Sequence, residues 1–401
     1  MQPELLSPAG DLEKLQTAVR FGADAVYVGA GDYSLRTADT SFNLEQLEQG
    51  IKLAHEQKVK VYLALNIFAF DNDLPKMMKY LKQAVKLGID AVIVSDPGVI
   101  NLIKAKKLKV KIHLSTQANT LNSEAVKFWQ KQGVKRIVLG RELTLKQVKV
   151  IKKAVPKMEI ELFVHGAMCM SYSGRCLLSK YMTGRSANRG ECTHPCRWEY
   201  FMKEKERPEE EFSIEEDARG TYVMNSKDLC MIEHVAALKK AGVDSFKLEG
   251  RMKSAYYVAV VTKIYREALV NKKYDPQWLT ELKKVSHRTY STGFYLGEDD
   301  RENQESSKYV RDYAFVGVTG KCDLKEGLLE VFVRNNIRLG DNLEVVDPGV
   351  KEIKVIGVAK IINGAGEELP QAHNENHVWL ELKLTKAASP HSLLRKALRG
   401  S

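Results

Sequence analysis

No apolar run in these 401 residues approaches the roughly 18 that a membrane-spanning helix needs, so no membrane association is expected. The opening stretch MQPELLSPAGDLEKL lacks the basic-then-apolar layout of a secretory signal. The expected compartment is therefore the cytoplasm. Cysteine is scarce, with six residues in all, and in a reducing compartment clustered thiols point to metal or redox chemistry rather than to disulfides. No H-E-x-x-H pair occurs, which excludes the common zinc-peptidase arrangement. No glycine-rich dinucleotide fingerprint follows the first strand-like run, which weakens an open doubly wound sheet.

What is present in excess is positive charge. There are 62 Lys and Arg against 51 Asp and Glu, a net +11. Such a surplus suits a polyanionic partner. Lysines like those of NLIKAKKLKVKIH also read as the solvated faces of amphipathic helices.

The first 250 residues repeat one theme, a short β-branched run followed by a turn and a helix-period segment. The strand-like runs are 4–10, 25–31, 60–66, 91–96, 111–119, 136–143, 160–166 and 245–251. The phrases FGADAVYVG, LGIDAVIVS, QGVKRIVLG and AGVDSFKLE restate one helix–Gly–strand unit, with glycine where a helix C-cap belongs. Eight strands alternating with helices predict a TIM-type (β/α)8 barrel over residues 1–297. The seventh and eighth runs stand far apart, and the excess is a cysteine-rich insertion at about 167–220, including the charged segment 203–220. A helix is expected across NSKDLCMIEHVAALKKAGV. From about 311 to 390 the pattern changes to period two with Gly, Asn and Asp turns, which predicts a small C-terminal all-β barrel.

Four of the six cysteines follow the seventh run, as Cys169, Cys176, Cys192 and Cys196. A loop after a barrel strand opens on the face where active sites lie. The spacing lacks paired Cys-x2-Cys units, so an iron–sulfur cluster, a structural zinc and uncoordinated thiols all stay open. The segment has few apolar anchors, so bound metal is expected to help order it. Cys230 reads as a buried helical residue and as the reserve fourth ligand should Cys196 point away, and Cys322 reads as packing. Polar residues at strand ends are further candidates by position. Asn66, Asp96, Gln117, Arg141 and Glu142 fall there, as do His165, Glu249 and Arg251. With Lys253, the run KLEGRMKS sets a carboxylate among cations, which suits a ligand bearing carboxylate or phosphate.

The run ELFVHGAMCMSYSGRCLLS resembles the signature of the U-32 peptidase family, the collagenase-like proteases. The resemblance extends through LLSPAG, NRGECTHPCRWEY, YVMNSKDL, KLEGRMKSAYY and HRTYSTGFY to the β-rich C-terminus. It is strongest to the branch implicated in forming 5-hydroxyuridine at the wobble position of tRNA. That resemblance implies a tRNA uridine hydroxylase of oxidoreductase character, with prephenate as co-substrate and a paralogue or second copy as partner. It also implies a 4Fe–4S cluster on Cys169, Cys176, Cys192 and Cys196. Glu249, Arg251 and His165 are then the expected catalytic residues, and Asn66, Gln117, Arg141 and Lys253 the expected substrate contacts. Two other readings stand beside this one: a peptidase, with His165 and Cys169 as a dyad, or an iron–sulfur partner protein in hydroxylation of ribosomal RNA or a quinone.

Overall fold

A computed structural model of the chain describes residues 2–29, 31–35, 41–169, 171–198, 216–217, 220–221, 227–297, 309–348, 354–373, 376–382 and 388–398. The described residues fall into two compact units, one drawn from 1–279 with 287–309 and the other from 280–286 with 310–401.

In the first unit, each of the eight apolar runs is a strand. They are β1 (Glu4–Pro8), β2 (Ala25–Gly29), β3 (Lys60–Leu65) and β4 (Ala91–Val94), then β5 (Lys111–Leu114), β6 (Arg136–Val138), β7 (Glu159–Ala167) and β8 (Ser245–Leu248). Every neighbouring pair is parallel, and β8 pairs back to β1 through Glu4–Ser245 and Leu6–Lys247, which closes the barrel. Helices cover the outer face, so β2 and β4 are buried throughout and read as continuous apolar runs.

The helices begin where the sequence supplies a cap. Asp11, Asn43, Asp96, Asn122 and Thr144 each accept a hydrogen bond from a first-turn backbone N–H, worth about 1 kcal/mol apiece. Asp96 is thereby spent on its own helix. In all four repeated phrases the glycine (Gly22, Gly88, Gly133 and Gly242) has φ between 81° and 99°, the left-handed turn that ends a helix.

One expectation fails between β7 and β8. The stretch read as a single helix starts instead as a strand, Asp228–Cys230, antiparallel to the end of β7 with Leu229 opposite Gly166. Only Val235–Lys240 is α-helical. The cause lies in β7, which runs on to Ala167, whereas β8 stops at Leu248. The overhanging backbone groups need partners, and this distant segment provides them. The charged segment 203–220 lies outside the described residues except for Glu216, Asp217 and Gly220, where Glu216–Asp217 pairs with Gly220–Thr221.

The barrel interior carries charge as well as apolar side chains. The Arg136 guanidinium donates to Glu4 and, at 3.1 Å, to Glu161, while Lys247 Nζ lies 3.1 Å from the other Glu161 oxygen. Tyr62 Oη donates to Glu4 at 2.8 Å. Glu161 and Lys247 are both buried. Burial alone would raise the Glu4 carboxyl, yet hydrogen bonds and charge from Arg136 and Lys60 outweigh it and hold the group below its ordinary range.

The second unit is a closed barrel of six antiparallel strands, β9 (Tyr313–Asp323), β10 (Leu328–Val333), β11 (Asn342–Val346), β12 (Lys354–Asn363), β13 (His377–Leu382) and β14 (Leu393–Ala397). They close in the order β9-β10-β13-β12-β11-β14 around Val316, Leu329, Val331, Leu343, Leu380 and Leu394. Arg395 is fully buried and is paired with Glu281 and Glu344. Among the described residues no helix is long and apolar enough to cross a membrane.

Arg136→Ala would remove the cation that Glu4 and Glu161 share, leaving them only Lys60 and Lys247, and the expected loss is about 3 kcal/mol of unfolding free energy by urea titration. Because the Glu4 pKa is depressed, its contribution is complete above its ordinary value of 4.5 and is lost as pH falls through the lowered one. The wild-type urea midpoint should therefore drop more steeply below that pH than the variant's.

Candidate active site

At the C-terminal end of the first barrel is a cavity of about 320 Å³, within the range of small-molecule sites. The barrel interior supplies its floor through Tyr27, Ala64, Ile93, Phe163 and Lys247. Cys169, Cys176, Cys192 and Cys196 all line it. Each is half-buried and none is in a disulfide. Among the described residues no three His, Cys, Asp or Glu side chains draw together closely enough to hold a single metal ion. The four thiols share one space without forming a compact tetrahedron.

The loop that bears them is tied down by polar contacts. Glu142 accepts from the Ser173 backbone N–H at 2.6 Å and from its hydroxyl at 2.8 Å. The Asn188 side chain accepts from the Cys176 N–H at 3.0 Å and donates to the Cys176 carbonyl at 2.9 Å. Phe68 N–H reaches the Asn188 carbonyl at 3.0 Å, and Arg189 pairs with Asp73. Order in this segment therefore has sources other than metal. Glu142, named from its position alone, serves here as an anchor.

Of the polar residues expected at the site, Asn66, Gln117, Arg141, Glu249 and Arg251 line the cavity together with the cysteines. Leu35 N–H donates to Asn66 Oδ1 at 3.2 Å, and Asn66 Nδ2 donates to Gln117 Oε1 at 2.9 Å. Ser115 Oγ also donates to that oxygen, at 3.4 Å. The Gln117 amide is thus oriented with its acceptor used. Its Nε2 is buried with no hydrogen-bond partner in the protein, and so is Arg141 Nε. A buried donor left unmade costs roughly 1–3 kcal/mol, which an acceptor on a ligand would restore. Arg141 Nη1 donates to the Ala167 carbonyl at 3.1 Å, and its guanidinium lies 4.1 Å from the centre of the Phe163 ring.

Glu249 follows β8 and is fixed from two sides. Tyr27 Oη is 3.1 Å from its carboxylate, and Tyr257 Oη donates to its backbone carbonyl at 3.2 Å. Gly166 has φ 105°, and a Cβ there would stand 2.5 Å from the Glu249 carbonyl. Only glycine lets β7 pass so near. Arg251 is buried and donates to Ser34 Oγ at 3.1 Å.

Besides Asp96 and Glu142, two of the expected residues, His165 and Lys253, do not line the cavity. The His165 ring is buried beside Tyr257, Tyr265 and Tyr290, with centroids 5.4–6.0 Å away. Burial, helped by the charges of His287 and Lys253, holds its pKa at about 3, so it stays neutral. Lys253 lies over Tyr257 and Tyr309 instead. Cys230, the reserve ligand, is buried opposite His165 on the short strand, and burial pushes its thiol up to about 12. Sequence position did not single out Lys247, because a lysine within a strand reads as solvated. Arg175, which donates to the Gln117 carbonyl at 2.9 Å, was also missed.

Residues 10–305 match peptidase family U32, and residues 311–395 match that family's C-terminal domain. The chain belongs to this family. It is 40% identical to tRNA hydroxylation protein P of Escherichia coli, over 94% of this chain and 93% of that one. Identity to tRNA hydroxylation protein P1 of Bacillus subtilis is 36%, over 98% and 95% of the two chains. A Porphyromonas gingivalis relative named collagenase is 33% identical over 86% of each.

Because only the thiolate reacts, native protein treated with iodoacetamide at mildly alkaline pH should leave Cys230 unmodified until the chain is unfolded. Peptide mass mapping would show it; rapid native labelling of Cys230 would contradict the buried placement.

Proposed function

We propose that this chain modifies tRNA, hydroxylating C5 of a wobble uridine with prephenate as co-substrate, and that Cys169, Cys176, Cys192 and Cys196 hold a 4Fe–4S cluster. Relatives across nearly its full length are named tRNA hydroxylation proteins, and the net charge of +11 favours a nucleic-acid substrate. The donor set fits the cluster. Four thiols face one cavity yet form no compact single-ion site, and a cube meets each thiolate at a separate corner. When bound, such a cluster supplies one-electron chemistry.

The observation that carries the reading is the pair of unpartnered donors, Gln117 Nε2 and Arg141 Nε, on the wall the thiols share. Uridine presents carbonyl oxygens to such donors, whereas the exocyclic amine of cytidine would oppose them. An anticodon-loop base is unpaired and can be turned into a pocket at modest cost. Arg251 and Lys247 supply cations for carboxylates of a small co-substrate. Glu249, held by Tyr27 and Tyr257, would accept a proton from the reacting base.

The collagenase name of one relative keeps proteolysis in view, but the cavity that Cys169 lines excludes His165, and a neutral imidazole of pKa about 3 is a weak base. Nucleoside mass spectrometry of tRNA from a strain lacking the gene should show loss of 5-hydroxyuridine derivatives, restored by the wild-type gene. Cys176→Ala should fail to restore them and should hold less iron. Gln117→Leu should keep its iron while hydroxylation falls at least about tenfold. Normal wobble hydroxylation in the deletion strain would sink the proposal.

A further inference from the structure

Two tyrosine rings stand out in water on the loop whose cysteines line the cavity. Tyr172 is 55% exposed and Tyr181 86%, both on the loop that carries the four cysteines, with Leu177 79% exposed between them. On the neighbouring connection that follows β3, Phe70 is 65% exposed and packs one face against Arg189. An aromatic side chain carries a large apolar area, and contiguous exposed apolar surface marks an interaction site. These rings contribute little to packing, so the fold does not account for them.

The same loop is cationic. Between residues 171 and 198 it has five Arg or Lys side chains and one carboxylate, Glu191. Arg175, Lys180 and Arg185 are exposed and alternate with the tyrosines along the chain. An apolar peptide would not call for these charges, and an acidic peptide would not call for flat rings. A single strand of nucleic acid presents both flat bases and phosphates, and it is bound by stacking on aromatics within an electropositive groove. Tyr172 opens the turn Tyr172–Gly174, which packs against the turn Thr116–Ala118 bearing Gln117. A base stacked on Tyr172 would therefore leave its neighbour at the entrance to the cavity.

We infer that Tyr172 and Tyr181, flanked by Arg175 and Arg185, form a stacking platform for unpaired nucleotides of the anticodon loop. This rests on the tRNA reading above and assigns the residues that would seat its substrate. The platform and the thiols occupy one loop, so the grip on RNA and the chemistry move as a unit.

The test is a fluorescence-anisotropy titration of full-length protein with a labelled anticodon stem-loop RNA across a salt series. Because each stacked base is worth at least about fivefold, the double variant Tyr172→Ala, Tyr181→Ala should bind roughly 25-fold or more weakly with an unchanged salt slope. The corresponding Tyr→Phe pair should bind like wild type, since it keeps the rings. Arg185→Ala should instead lower the salt slope by about one. Matching thermal melts would show that the variants are folded, as expected for side chains this exposed. If wild type binds the stem-loop and the Tyr→Ala pair binds equally well, the platform is wrong while the tRNA reading stands. If wild type does not bind the stem-loop at all, both fall. If the rings instead bury a second copy, sedimentation will show a wild-type dimer that the Tyr→Ala pair breaks without loss of RNA affinity, which also overturns the platform.

Discussion

Four charges shut inside the barrel, those of Glu4, Arg136, Glu161 and Lys247, govern what sits above them. They come from β1, β6, β7 and β8, so satisfying them requires the strands on either side of the closure to be in register. Lys247 links this layer to the cavity, since its ammonium pairs with Glu161 below and lies 4.5 Å from the centre of the Tyr27 ring. Tyr27 in turn reaches the carboxylate of Glu249. Burial is the main influence lowering the Lys247 pKa, and Glu161 opposes it. A misregistered barrel would leave that cation unpaired and release the constraint on Glu249. Buried ion pairs are weak sources of net stability but costly to break, and this layer acts through the second property.

The strands of the first barrel were legible because a parallel sheet covered on both faces demands unbroken Val, Ile and Ala, and four of the helices end in a glycine held in a left-handed turn. The cysteines were legible by density alone. What escaped was long-range pairing. Nothing local makes Asp228–Cys230 a strand, because its reason for extending is the overhang of β7. The Asn66–Gln117 amide contact joins side chains 51 positions apart, and no sequence period marks it. The strand Leu393–Ala397 was missed because Arg395 and Lys396 interrupt its apolar pattern, yet Arg395 is buried on Glu281 and Glu344. Position misled at His165: the end of a barrel strand is where catalytic groups gather, but a ring of tyrosines encloses this one.

The contacts that fix the cysteine loop come from outside it as well as from within. Glu142, Asp73 and the Phe68 backbone belong to neighbouring parts of the barrel rim, while Asn188 and Cys176 clasp one another across the loop. None of these ties uses a sulfur atom as donor or acceptor. These ties alone can therefore hold the loop against the barrel rim, with the four thiols side by side along one cavity wall. On the reading proposed above, iron and sulfide would then reach a loop that is already folded, as an event separate from synthesis of the polypeptide.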